Sequence, residues 1–101
     1  MKSRFHDAAE AELDEAVAYY DGQAPGLGDR FLAEVRAGTR SIERYPEIAP
    51  VLDQGVRGKG LHRFPYTLMY VVETEELFIV AVAHQSKRPA YWADRLPTTR
   101  Q

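Results

Sequence analysis

The run LFIVAVA, Leu77 to Ala83, constrains this chain more than any other stretch: its seven residues are all apolar, with no polar residue at alternate places. A half-solvated strand alternates, whereas a strand covered on both faces does not. The run is far short of the roughly 20 residues that cross a bilayer. It therefore predicts a central strand, which needs partner strands at its edges and a packed layer on each face. The partners stand just upstream. Residues 66–72, after Pro65, predict a second strand, joined to the first by the acid-rich turn Glu73-Thr74-Glu75-Glu76. Residues 56–63 predict a third, with Gly58 and Gly60 as its weak points.

The N-terminal half supplies a covering layer. Residues 2–6 predict a short first strand. Asp7 is a good helix N-cap, and Glu10 three residues on completes a capping-box pattern. Ala9, Leu13, Ala16, Val17 and Tyr20 then recur at helical spacing, which predicts a helix over residues 8–21. Acids crowd its first turns, where negative charge suits the helix dipole. Tyr19 and Tyr20 read as amphipathic residues at the edge of the core. Residues 22–26, with Pro25, break the helix. A second helix is expected over residues 27–45, with Leu27, Phe31, Val35 and Ile42 as its apolar stripe and Pro46 beyond its end. Arg36, Arg40 and Arg44, four apart, form a basic ridge along it. Two helices with a short break read as an antiparallel hairpin, each with one apolar stripe to bury. Pro89 is expected to open a short terminal helix over residues 90–96. The order of strand, two helices and a three-strand meander gives an α+β class in a single domain, residues 1–101.

Charge narrows the function. The net of −2 hides an asymmetry: residues 1–50 carry −4 and residues 51–101 carry +2. A dedicated nucleic-acid binder shows a strong basic footprint, and here any such footprint is local. The N-terminal stretch MKSRFHDAAEAEL lacks the apolar core of a secretory signal, and there is no cysteine to form a disulfide or a thiolate nucleophile. The expected compartment is the bacterial cytoplasm. His6, His62 and His84 form no recognisable metal motif, and PGLGDR lacks the lysine and hydroxyl of a phosphate-binding loop. No cofactor or metal is expected.

The chemistry-bearing residues follow the sheet. Arg57, Lys59, Leu61 and Arg63 alternate, so a regular strand sets three cations on one face. They would grip phosphate or a partner's acids, or simply guard a solvated edge. Tyr66 and Tyr70, with Leu68 between, share a face that either lines a groove for an amphipathic helix or floors the hairpin. His84 ends the apolar strand, in phase with Phe78, Val80 and Val82, as a proton-transfer group or as a hydrogen-bonded cap on the sheet. Arg88, Tyr91 and Trp92 follow; they would brace a phosphate or stack on a base, and more readily pack the tail or mark a protein interface.

These pieces together resemble the RelE/ParE superfamily of type II toxins. The resemblance rests on AEAELDEAVAYY, GLGDRFLAEV with Pro46 after the helix, VR then RFPYTLMYVV, and LFIVAVAH then RPAYWADR. It implies a helical hairpin packed on a small twisted antiparallel sheet. It also implies a cognate, ParD-like antitoxin that wraps and silences the chain. The low net charge places the resemblance on the ParE-like, plasmid-stabilisation side, whose members poison DNA gyrase without catalysis. Antitoxin or target contacts are then expected among Arg57, Lys59, Arg63, Tyr66, Tyr70, His84, Arg88, Tyr91 and Trp92. The alternative is a RelE-like, metal-independent endoribonuclease acting on the ribosome, with Arg63, His84, Arg88 and Tyr91 as its site. A third reading is a degenerate toxin that only binds antitoxin.

Overall fold

A computed structural model describes residues 1–97. The elements run β1 (Lys2–Phe5), α1 (Asp7–Gln23), α2 (Leu27–Arg44), β2 (Arg57–Gly60), β3 (Tyr66–Val72) and β4 (Glu76–His84), with single 3-10 turns at Asp53–Gly55 and Ala93–Arg95. The sheet order is β1-β4-β3-β2. β4 is central, and Leu77 to Ala83 are all buried, as an unalternating apolar run requires.

The three later strands form the expected antiparallel meander, but β1 lies parallel to β4. The hairpin explains this. α2 ends beside the start of β1, where the N-terminal amine donates to the Glu43 carbonyl. The meander therefore starts from the same end as β1, and its third strand runs in the same direction.

His6, not Asp7, caps α1: its backbone is extended, and its Nδ1 accepts the Ala8 amide at 2.9 Å. Gly26 turns the chain into α2 with φ of 81°. Gly28 lets the two helices meet, since a Cβ there would lie 2.5 Å from the Val17 carbonyl oxygen. α2 buries Gly28, Phe31, Val35, Gly38 and Ile42, the single face that its apolar spacing predicts.

Two apolar layers sandwich the sheet. On the hairpin side Phe31, Val35, Leu68 and Val82 pack with Ala9 and Ala16, while Ile42 meets Tyr70, Leu77 and Ile79. On the other side Trp92 covers Val56, Met69, Phe78, Val80, Ala81 and Ala83. The cover is not the expected terminal helix. Ala90 takes φ of 60°, and only Ala93–Arg95 makes a turn of 3-10 helix, so the tail crosses the sheet as an irregular strap.

A bulge shifts the register: Met69 faces Ala81, yet Tyr70 faces Ile79, leaving Val80 unpaired. Val80 and Ala81 consequently both join the strap-side layer. This corrects the expected phase of His84. It lies on the hairpin side with Val82, against Tyr66, and not on the side of Phe78 and Val80.

Candidate functional site

The predicted site residues do not gather in one place, and two of them, Tyr70 and Trp92, are buried. Strand β2 stops at Gly60, so Arg63 leaves the expected row and sits exposed in the connection to β3. Arg57 is turned inward: its Nη1 donates to the Ala49 carbonyl at 2.6 Å and lies 3.4 Å from that of Glu47. It fastens the loop after α2. The expected set of three cations on one strand face therefore does not form.

Lys59 and Arg63 instead join Arg30 at the rim of an open groove of about 860 Å³ between α2 and the β2–β3 connection. Leu27, Ala37, Leu61 and Phe64 line it. Glu34 is committed there, accepting the His62 amide at 3.2 Å. The result is an apolar trough with a basic rim. Such a surface suits a segment that carries apolar and acidic side chains on one face.

The second place is the end of β4. His84 Nδ1 accepts the Ser86 amide at 2.9 Å and lies 2.8 Å from Ser86 Oγ. The amide contact requires a lone pair on Nδ1. The ring meets Tyr66 edge-on, with centroids 5.0 Å apart, and Tyr66 in turn packs on Phe31. Burial pushes the Tyr66 hydroxyl above its ordinary value. His84, Arg88 and Tyr91 line one cavity of about 230 Å³ with Trp92. Arg63 belongs to the α2 groove instead.

Two expected contact residues are interior. Tyr70 is fully buried, and its hydroxyl donates to the Pro46 carbonyl at 2.6 Å. Of the two readings of the Tyr66–Tyr70 face, the structure places Tyr70 in the floor of the hairpin. Trp92 is buried in the strap-side layer. Neither offers a free surface in the isolated chain.

The third place is a cluster that the sequence reading missed. Glu12 Oε1 accepts the Val82 amide at 3.0 Å, and its Oε2 accepts the Tyr91 hydroxyl at 2.7 Å. Arg95 donates to both oxygens at 3.0 Å and to the Val80 carbonyl at 3.0 Å. The strand geometry explains the arrangement. β1 ends opposite Ile79, so the edge of β4 beyond it has no neighbouring strand, and Glu12 and Arg95 satisfy its backbone. Burial, then the bond to Glu12, raise the Tyr91 hydroxyl well above its ordinary value. The bond to Glu12 raises Arg95 likewise. A signal was present: Glu12 falls three after Ala9 and four before Ala16, both buried, and so on the inward face of α1.

Among the described residues no cluster of three or more His, Cys, Asp or Glu side chains could hold a metal ion. No helix among them is long and apolar enough to cross a membrane.

Comparison with known proteins agrees with this architecture. Residues 4–89 match the family described as "ParE toxin of type II toxin-antitoxin system, parDE". The chain is 33% identical over 87 residues to Toxin ParE2 of Mycobacterium tuberculosis, covering 85% of this chain and 83% of that protein, in each of two strains. A solved structure titled "Chromosomal ParDE TA system from P. aeruginosa" contains a chain of the same fold, with TM-score 0.61 and 20% identity, covering 83% of this chain and 95% of the other.

Proposed function

Because this chain belongs to the ParE toxin family of type II toxin–antitoxin systems, we propose that it inhibits DNA gyrase and is neutralised by a cognate, ParD-like antitoxin. The observation that carries the antitoxin half is the groove beside α2, apolar within and rimmed by Arg30, Lys59 and Arg63. An amphipathic antitoxin segment would lay its apolar side chains in the trough and its acids against the rim. Such a partner buries the cations in pairs, which gives specificity and speeds encounter.

The gyrase half rests on family membership and on what the site lacks as a catalyst. The Tyr91 hydroxyl donates to Glu12, His84 Nδ1 is occupied by Ser86, and Arg63 lines a different groove from Arg88. These groups support a binding role, with the exposed segment 85–89 and Arg88 presented to the target. Its place of action is then the cytoplasm, and stabilisation of a plasmid or chromosomal locus follows from the paired system. The test is coexpression with the adjacent small reading frame, followed by pulldown and a supercoiling assay. A stable complex that restores gyrase activity supports the proposal; absence of both complex and inhibition refutes it.

One feature favours the ribonuclease alternative: His84, Arg88 and Tyr91 share a cavity. Cutting of ribosome-bound transcripts after induction, lost in His84→Ala with Arg88→Ala, would establish that reading. Overexpression without growth arrest would indicate a degenerate toxin that binds only its antitoxin.

A further inference from the structure

We infer that a second cavity at the end of β4, which shares His84 and Lys87 with the first, is a receptor for an arginine side chain of a protein partner. The cavity has a volume of about 240 Å³, and Glu15, Ala16, Tyr19, Tyr66, Val82 and His84 form most of its wall. It lies across α1 and the open edge of β4, apart from the basic groove beside α2. That groove is rimmed by cations, whereas this wall carries the carboxylates of Glu12 and Glu15 beside one cation, Lys87.

Three features carry the inference. The first is a carboxylate without a partner. Glu15 is exposed and, among the described residues, makes no ion pair. Glu12 also borders the cavity, but its oxygens are taken by Val82, Tyr91 and Arg95, so Glu15 supplies the free charge. The second is aromatic surface. Tyr19 is 59% exposed, and it lines the wall together with Tyr66. A cation over an aromatic face gains electrostatic attraction, and guanidinium stacks there better than ammonium. The third is backbone. The Val82 amide points away from β3 to reach Glu12, and a residue's carbonyl leaves a strand on the same side as its amide. No strand lies beside β4 at that position, because β1 ends opposite Ile79. The Val82 carbonyl thus faces the cavity as an acceptor.

One cation on the wall does not fill the site. Lys87 borders the cavity, yet its Nζ lies over the Tyr91 ring, 5.4 Å from the centroid. A guanidinium entering from solvent would stack on Tyr19, pair with the Glu15 carboxylate and donate to the Val82 carbonyl. That set uses the planar fork of arginine, which lysine lacks. The inference does not depend on which protein is the target or the antitoxin.

The test uses the full-length chain, labelled with nitrogen-15, and N-acetyl-arginine amide as probe. The expected result is saturable shifts at the amides of Tyr19, Val82 and His84. N-acetyl-citrulline amide, the same shape without charge, should leave them unmoved, and N-acetyl-lysine amide should bind more weakly. Glu15→Gln, a surface change that leaves the fold intact, should weaken arginine binding about tenfold, the size of one lost charge-assisted hydrogen bond. Tyr19→Ala should weaken it as well. Equal shifts from citrulline, or arginine binding unchanged in both variants, would overturn the inference, as would the absence of any saturable shift.

Discussion

Glu12 and Arg95 lie 83 residues apart in sequence and meet through two bonds, Nη1 to Oε1 and Nη2 to Oε2, each 3.0 Å. This pair joins the first helix to the last turn and caps the open edge of the central strand. Both side chains are mostly buried, with 17% and 16% exposure. Removing one member leaves the other charge without its partner. Glu12→Ala is therefore expected to cost about 3–5 kcal/mol, a large share of the roughly 5–15 kcal/mol that holds a domain together. Urea unfolding measures the loss. Trp92, the only tryptophan, lies in the strap and reports its release through a red shift in emission.

Tyr91 sets an alkaline limit. Its hydroxyl is held above the ordinary value by burial and by the bond to Glu12. A folded value above the unfolded one means the contribution to stability is complete below pH of about 10. It is lost as pH rises through the folded value. Thermal unfolding followed upward from neutral pH should show melting temperature falling above pH of about 10, and Tyr91→Phe should shallow that fall. An identical slope in the variant would contradict the assignment.

Tyr70 tests the hairpin floor. Tyr70→Phe keeps the ring and removes only the bond to the Pro46 carbonyl. The expected cost is about 1–3 kcal/mol, because a partly buried carbonyl is left without its donor. Antitoxin affinity should stay within about twofold once stability is matched, since changes away from an interface are close to neutral for binding. A large loss of affinity would mean that Tyr70 becomes accessible in the complex.

The helix crossing at Gly28 should tolerate no side chain. A Cβ there meets the Val17 carbonyl at 2.5 Å and Asp21 Cγ at 2.6 Å. Gly28→Ala must push α1 and α2 apart and should cost about 1–3 kcal/mol, read as a lower urea midpoint. An unchanged midpoint would show that the hairpin gives way without cost.

The α2 groove gives the partner prediction. Charge reversal by Lys59→Glu with Arg63→Glu places acids at the rim. Antitoxin binding should weaken by about 10- to 100-fold, chiefly through slower association at low salt, while the melting temperature barely moves because both residues lie at the surface. Surface plasmon resonance at two salt concentrations separates the rate effects. Unaltered association would remove the groove from the interface.

Much of this was legible in the chain. The unbroken apolar run fixed β4 as the central strand, and helical spacing placed α1 and α2 within a few residues. What escaped depends on contacts distant in sequence. The parallel pairing of β1 follows from where the hairpin returns the chain, which no local pattern encodes. The bulge at Val80 is invisible to a period-two reading, which puts His84 in phase with Phe78 and Val80 as well as with Val82, its neighbour in the structure. Strand β2 ended early because the chain turns after Gly60, and this separated Arg63 from Arg57. For Tyr70 and Trp92 the spacing leaves packing and partner contact both open, because it gives a face but not what covers it, and the structure buries both. Glu12 reads from the sequence as one more acid of an acidic helix, since its partner Arg95 lies 83 residues away and is brought near only by the fold.

Inhibition of gyrase is read most directly from purified gyrase supercoiling relaxed plasmid in the presence of the chain, with and without its antitoxin. The prediction is loss of supercoiling with accumulation of cleaved DNA bound to gyrase, both reversed by antitoxin. Full supercoiling at high molar excess of a chain that still arrests growth, with transcripts cut on ribosomes, would contradict it.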